Sequence, residues 1–225
     1  MKSIAPPKPV VAVFDFDETL LEVESSRLGI QWLWDRGLVP LGYILKILLA
    51  KCFYQQRLLS EDRMVRILLT FYKKKRIEDF QKGAMDFYKE YLKPHLAPAI
   101  VARAQDHKTQ GHVLVMISGS VRYMLEPVVE DLGFDHLVCT DLEVNSNGQL
   151  TGKSNGRVCV GQNKRKLTLE LAHNIGLDLE KSYAYGNHPS DLPLLESVGH
   201  PHAVAPNRIL KKIARQRSWP ILSYR

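Results

Sequence analysis

Two patterns of apolar positions alternate along this chain. Residues 10–14 (VVAVF) form a short, valine-rich apolar run that breaks off in acids, the signature of a strand buried on both faces. Similar runs at 112–117, 134–139, 182–185 and 203–205 predict four more strands. Between them the period turns helical: 121–131 stops at Gly133, 163–176 ends on a glycine, and 207–216 reads as a basic C-terminal helix. Residues 142–160 predict a hairpin turning at Asn145-Ser146-Asn147-Gly148. From 24 to 92 only helical spacing occurs, carried by Leu28, Trp32, Leu33, Ile44, Ile47, Leu48, Met64, Ile67, Leu68 and Phe71. Residues 6–9 form a stiff, proline-rich lead-in. Strands separated by helices predict an α/β fold: a Rossmann-like parallel sheet with helices on both faces, interrupted by one helical block.

Composition narrows the setting. A chain of 225 residues fits one large domain or one domain plus a small insert, and 45% hydrophobic residues suffice for a sizeable core. Cys52, Cys139 and Cys159 are odd in number and lack C-x-x-C spacing, which predicts reduced thiols and no zinc site. The first ten residues contain no apolar leader, so the expected location is cytoplasmic. The longest apolar stretch, at 38–50, is about 13 residues long with Lys46 inside it, well short of the roughly 20 that cross a membrane. A net charge of +7 favours anionic partners, and the absence of any nucleic-acid module argues against DNA or RNA.

In an open parallel sheet, ligands bind beyond the carboxyl ends of the strands, and each polar cluster here follows an apolar run. Asp15-x-Asp17-x-Thr19 comes first. A carboxylate just past a buried strand can attack phosphorus in line, and a second one two residues on can protonate the leaving oxygen and then deprotonate water. Ser118 and the amides around Gly119 can hold a phosphoryl oxygen, and Lys164 can offset developing negative charge. Gly186-Asn187-x-x-x-Asp191 offers oxygen donors of the kind Mg²⁺ takes. Each has a plainer reading alone: Ser118-Gly119 as a turn, Lys164-Arg165-Lys166 as a solvated helix face, 186–191 as a loop. Their order behind successive strands is what points to phosphoryl transfer.

The set Asp15-Phe16-Asp17-Glu18-Thr19, Ile117-Ser118-Gly119-Ser120, Lys164 and 186–194 resembles the haloacid dehalogenase-like superfamily, within it the phosphoserine-phosphatase-like branch. The resemblance extends to Cys159-x-Gly161-x-x-Lys164 and to the tail at 201–207. It implies a catalytic core at 1–21 and 95–225, and a helical cap at 22–94 that selects the leaving group. It also implies that Asp15 is the nucleophile and a Mg²⁺ ligand, and that Asp17 is the acid/base and lends its backbone carbonyl to the metal. Ser118, Gly119 and Lys164 then bind the phosphoryl group, Glu24 meets a substrate amine, and Asn187 and Asp191 complete the metal site. Where the family has Gly-Asp, this chain has Gly186-Asn187, which removes one negative charge from the metal site. His188 beside it is expected to be a loop residue, because Mg²⁺ prefers oxygen.

The expected activity is therefore Mg²⁺-dependent hydrolysis of a small, amine-bearing phosphomonoester of the phosphoserine or histidinol-phosphate kind. Three alternatives use the same residues: a phospho-ligand or membrane-surface binding module weakened at Asn187, a lipid-phosphate phosphatase, and a phosphotransferase. The expected cap is both apolar, at 38–49, and basic, at Lys51, Arg57, Arg63, Arg66 and 73–76. That mixture fits either a self-packed helical hairpin with solvated cations or a surface for anionic lipid.

Overall fold

The computed structural model describes residues 8–225; residues 1–7, which include part of the proline-rich lead-in and of the segment judged for a leader, lie outside it. Its elements in chain order are β1 (Val11–Asp15), α1 (Ser25–Asp35), α2 (Leu41–Gln55), α3 (Glu61–Leu69), α4 (Ile77–Gln81), α5 (Ala84–Phe87), α6 (Pro98–Thr109), β2 (Val113–Val121), α7 (Arg122–Leu132), β3 (His136–Thr140), β4 (Leu142–Val144), β5 (Leu150–Ser154), α8 (Gln162–Ile175), β6 (Tyr183–Gly186), α9 (Leu192–Leu195), β7 (His200–Val204), α10 (Arg208–Gln216) and β8 (Ile221–Leu222). Six strands form one sheet in the order β3-β2-β1-β6-β7-β8, every neighbouring pair parallel. β4 and β5 make a separate antiparallel hairpin, its turn held by Asn145 Oδ1 accepting from the amides of Asn147 and Gln149.

β1 is central and wholly buried because both its faces are covered. Val11 and Val13 face a cluster with Val115, Ile117, Ala184 and Ala203, while Ala12 and Phe14 face the opposite cluster with Leu114, Met116 and Tyr185. The second cluster runs on without a break into the helical block, through Leu28, Trp32, Leu33, Leu69, Phe71 and Phe87. A shared core of this kind seats the block over one end of the sheet. Gly133 and Gly176 end α7 and α8 in the left-handed conformation that a Cβ disfavours, as their positions predict.

Three details depart from expectation. β2 continues through Ser118-Gly119-Ser120 to Val121 instead of ending at 117, with its register against β3 shifting between Ile117 and Val121. The serines interrupt the apolar run without ending the extended backbone, and the shift leaves them unpaired in the ladder. β7 begins at His200 rather than at 203, and β8 is a two-residue edge strand too short for any periodic signal.

Candidate active site

At the carboxyl end of β1 the chain leaves the ladder in a tight turn. Asp17 takes an extended conformation (φ −67°, ψ 128°), and Glu18 takes a left-handed one (φ 52°, ψ 22°) that is uncommon for a residue with a side chain. Two contacts hold Glu18 there: Tyr224 donates its hydroxyl to the Glu18 carbonyl at 2.7 Å, and Asn187 Nδ2 donates to Glu18 Oε2 at 3.3 Å. Thr19, fully buried, donates to Asp15 Oδ2 at 3.4 Å.

Lys164, in the first turn of α8, is buried, while Arg165 and Lys166 beside it are exposed. The run is thus a solvated face with one member turned inward. Lys164 Nζ lies 2.6 Å from Asp15 Oδ1 and 2.7 Å from Asp191 Oδ1. Burial opposes the ammonium charge, yet Asp15 and Asp191 outweigh it and hold Lys164 protonated, well above its usual range. Burial, aided by Asp191, pushes the Asp15 carboxyl well above its own range despite the lysine. Lys164 thus stands as one ammonium between two acids, and a proton or a cation arriving at Asp15 relieves their repulsion.

Asp191 is itself cradled. Its Oδ2 accepts from the amides of Asn187 at 3.2 Å and His188 at 3.0 Å. Gly186 is required for this, since a Cβ there would lie 2.8 Å from the Asp191 Cβ. Asp17 is fixed from the other side: Oδ1 accepts from the Ser25 amide at 2.6 Å, and Oδ2 from Ser118 Oγ at 3.1 Å and Ser120 Oγ at 3.2 Å. Ser118 is fully buried beneath Asp17, whereas Gly119 and Ser120 border the open space.

That space is a cavity of about 390 Å³ between the sheet end and the helical block. Asp15, Asp17, Gly119, Ser120, Lys164 and Asn187 line its polar end; Trp32, Leu33, Val39, Met64, Leu68 and Phe71 line its apolar walls. Glu24 lies at its edge, where Lys51 Nζ approaches its Oε2 at 3.3 Å. Glu61, at the start of α3, accepts from Ser190 Oγ at 3.3 Å and so ties the block to the loop after β6; burial raises its carboxyl. His188 Nδ1 pairs with Ser190 Oγ at 2.9 Å.

The structure thus brings together Asp15, Asp17, Ser118, Gly119, Lys164, Asn187 and Asp191, and leaves Glu24 at the rim in an ion pair. The donors suit a hard cation: the Asp15 carboxylate, the Asp17 carbonyl and the Asn187 amide oxygen, beside two acids that share one lysine. Among the described residues no group of three or more His, Cys, Asp or Glu side chains is placed to hold a metal.

A family model for haloacid dehalogenase-like hydrolases matches residues 12–196. The chain belongs to that family. A histidinol-phosphatase of Neisseria meningitidis serogroup C is 30% identical to this hydrolase over 224 residues, covering 96% of this chain and 99% of its own. A crystal structure of a protein of unknown function from Bordetella pertussis superimposes with a TM-score of 0.88 at 23% identity, covering 97% of this chain and 100% of the other. A substrate-bound phosphoserine phosphatase complex gives a TM-score of 0.70 at 21% identity, covering 96% and 93%. At those identities the two structures speak for the fold of the hydrolase alone.

Sequence reasoning missed Ser25, Ser120, Glu61 and Tyr224. Ser120 follows Ser118-Gly119 and carried a local signal, but Ser25, Glu61 and Tyr224 are polar residues at helix starts or the chain end that only the fold brings to the site.

Proposed function

We propose that this hydrolase is a Mg²⁺-dependent phosphomonoesterase working through an aspartyl-phosphate, with the helical block as its cap. The observation that carries the reading is the meeting of Asp15, Asp17 and Lys164, from segments far apart in sequence, at the polar end of one cavity. A carboxylate oxygen of Asp15 attacks phosphorus, forming the Asp15–phosphorus bond as the bond to the leaving oxygen breaks. Asp17, carrying a proton, gives it to that oxygen and then takes one from the attacking water, whose oxygen displaces Asp15 and yields inorganic phosphate. Ser118 Oγ, freed when Asp17 turns to the leaving group, the Gly119 amide and Lys164 hold the phosphoryl oxygens. Asp15, the Asp17 carbonyl and Asn187 would hold Mg²⁺, which when bound supplies positive charge against those oxygens. Asp191 would complete the metal site, and its contacts position Lys164 and the 187–188 amides.

For the leaving group, the 30%-identical histidinol-phosphatase supports an amine-bearing monoester. The Glu24–Lys51 ion pair means that an amine would have to displace Lys51, and the apolar walls favour a leaving group with a ring or hydrocarbon body over phosphoserine. The test is phosphate release from phosphoserine, histidinol phosphate and hexyl phosphate, titrated with Mg²⁺. Turnover of the latter two above phosphoserine, abolished by Asp15→Asn in a protein that still unfolds cooperatively, is the expected result. Near-wild-type turnover by Asp15→Asn would refute the nucleophile, and silence across the panel would turn the reading towards phospho-ligand binding.

A further inference from the structure

Helix α2 is apolar on two sides. Ile47 and Ala50 are buried, and Tyr43 and Ile44 pack against the core. On the opposite side Leu41, Leu45, Leu48, Leu49 and Phe53 recur at helical spacing and form a second stripe, with Leu45 59% and Leu49 60% exposed. Leu38 and Leu58, just beyond either end of the helix, are exposed as well. A contiguous apolar stripe left in water marks an interaction surface. No helix among the described residues is long and apolar enough to cross a membrane, so α2 can lie on a bilayer but not span it.

The charge around the stripe identifies the partner. Between residues 36 and 60 the chain carries Arg36, Lys46, Lys51 and Arg57 and no aspartate or glutamate; Arg36 pairs with Glu90 and Lys51 with Glu24, while Lys46 and Arg57 meet no carboxylate among the described residues. A second copy packed two-fold on this stripe would bring the same cationic segment against itself. An anionic lipid surface complements both the leucines and the cations. The same helix also borders the cavity, through Tyr43, Lys51, Tyr54 and Gln55, so a surface against α2 lies beside the cavity.

We propose that α2 docks this hydrolase on an anionic lipid surface, with the 41–53 stripe between the headgroups. What the docked cavity then does rests on the phosphatase reading; the docking itself does not. The test is sedimentation of the full chain with vesicles of phosphatidylcholine alone and of phosphatidylcholine mixed with phosphatidylglycerol. Binding about tenfold stronger to the mixed vesicles, and reversed by salt, is the expected result. The double variant Leu45→Glu/Leu49→Glu should lose that binding by about tenfold or more while keeping the melting temperature and the turnover of para-nitrophenyl phosphate, since neither leucine lines the cavity. Absent turnover in the wild type with intact vesicle binding would count against the phosphatase reading alone. Failure of the wild type to prefer mixed vesicles would overturn the docking, as would a wild-type dimer that the double variant dissociates, which would assign the stripe to a second copy.

Discussion

Replacing Lys164 with methionine tests the electrostatic account of the site most directly. The substitution keeps the length and apolar stem of the side chain and removes only the ammonium, which lies 2.6 Å from Asp15 and 2.7 Å from Asp191. Both carboxylates are then left side by side, out of water, with no cation between them. Removing one partner of a buried pair costs about 3–5 kcal/mol, because the remaining charge is stranded rather than resolvated. For a chain of 225 residues, at about 2–4 °C per kcal/mol, the melting temperature should fall by roughly 6–20 °C. Calorimetry at neutral pH in the presence of a chelator reads this without compensation by metal. Arg165→Met, one residue on and exposed, should change stability by no more than about 0.5 kcal/mol. Adding Asp191→Asn to Lys164→Met should restore part of the loss, since one stranded charge is gone. A fall of less than about 3 °C for Lys164→Met, or the same fall for Arg165→Met, would refute the claim that this lysine holds the two acids together.

Three further outcomes follow from the same geometry. His107 is buried, with Nδ1 2.8 Å from His112 Nδ1 and Nε2 2.7 Å from the Tyr185 hydroxyl, and burial followed by the nearby His112 pushes it down from 6.5 to about 4. The unfolded chain therefore takes up a proton that the folded one refuses, so stability present above pH 6.5 is lost as pH falls towards 4, by about 3 kcal/mol in all. Urea midpoints across that range should show a shallower decline in His107→Gln, and an identical decline would rule the histidine out. Gly186→Ala places a Cβ 2.8 Å from that of Asp191 and should cost about 1–3 kcal/mol, together with most of the turnover. Unchanged melting and rate would show that the loop yields freely. Asn187→Asp should lower the Mg²⁺ needed for half-maximal activity by roughly tenfold, and an unchanged requirement would remove Asn187 from the metal's ligands.

Much of this molecule can be read along the chain because the signals are local. A buried strand between helices announces itself within five residues, as 10–14 does, and the acids placed just after it need only the topology of a parallel sheet to converge with Ser118, Lys164 and Asn187. The glycines at 133 and 176 mark helix ends by their own backbone freedom, again a local property. The motif singled out Lys164 from Lys164-Arg165-Lys166, but the tertiary structure alone decided that it is buried and paired with two acids, because burial depends on what α8 packs against rather than on the charge run. It also decided that Glu24 pairs with Lys51, that Glu61 and Tyr224 reach the site, and that α2 leaves a second leucine stripe bare. Each of these depends on which segments meet across the fold or on which face of a helix finds a partner. Periodicity along the chain shows that a helix has an apolar face, and only the packed chain shows whether anything covers it.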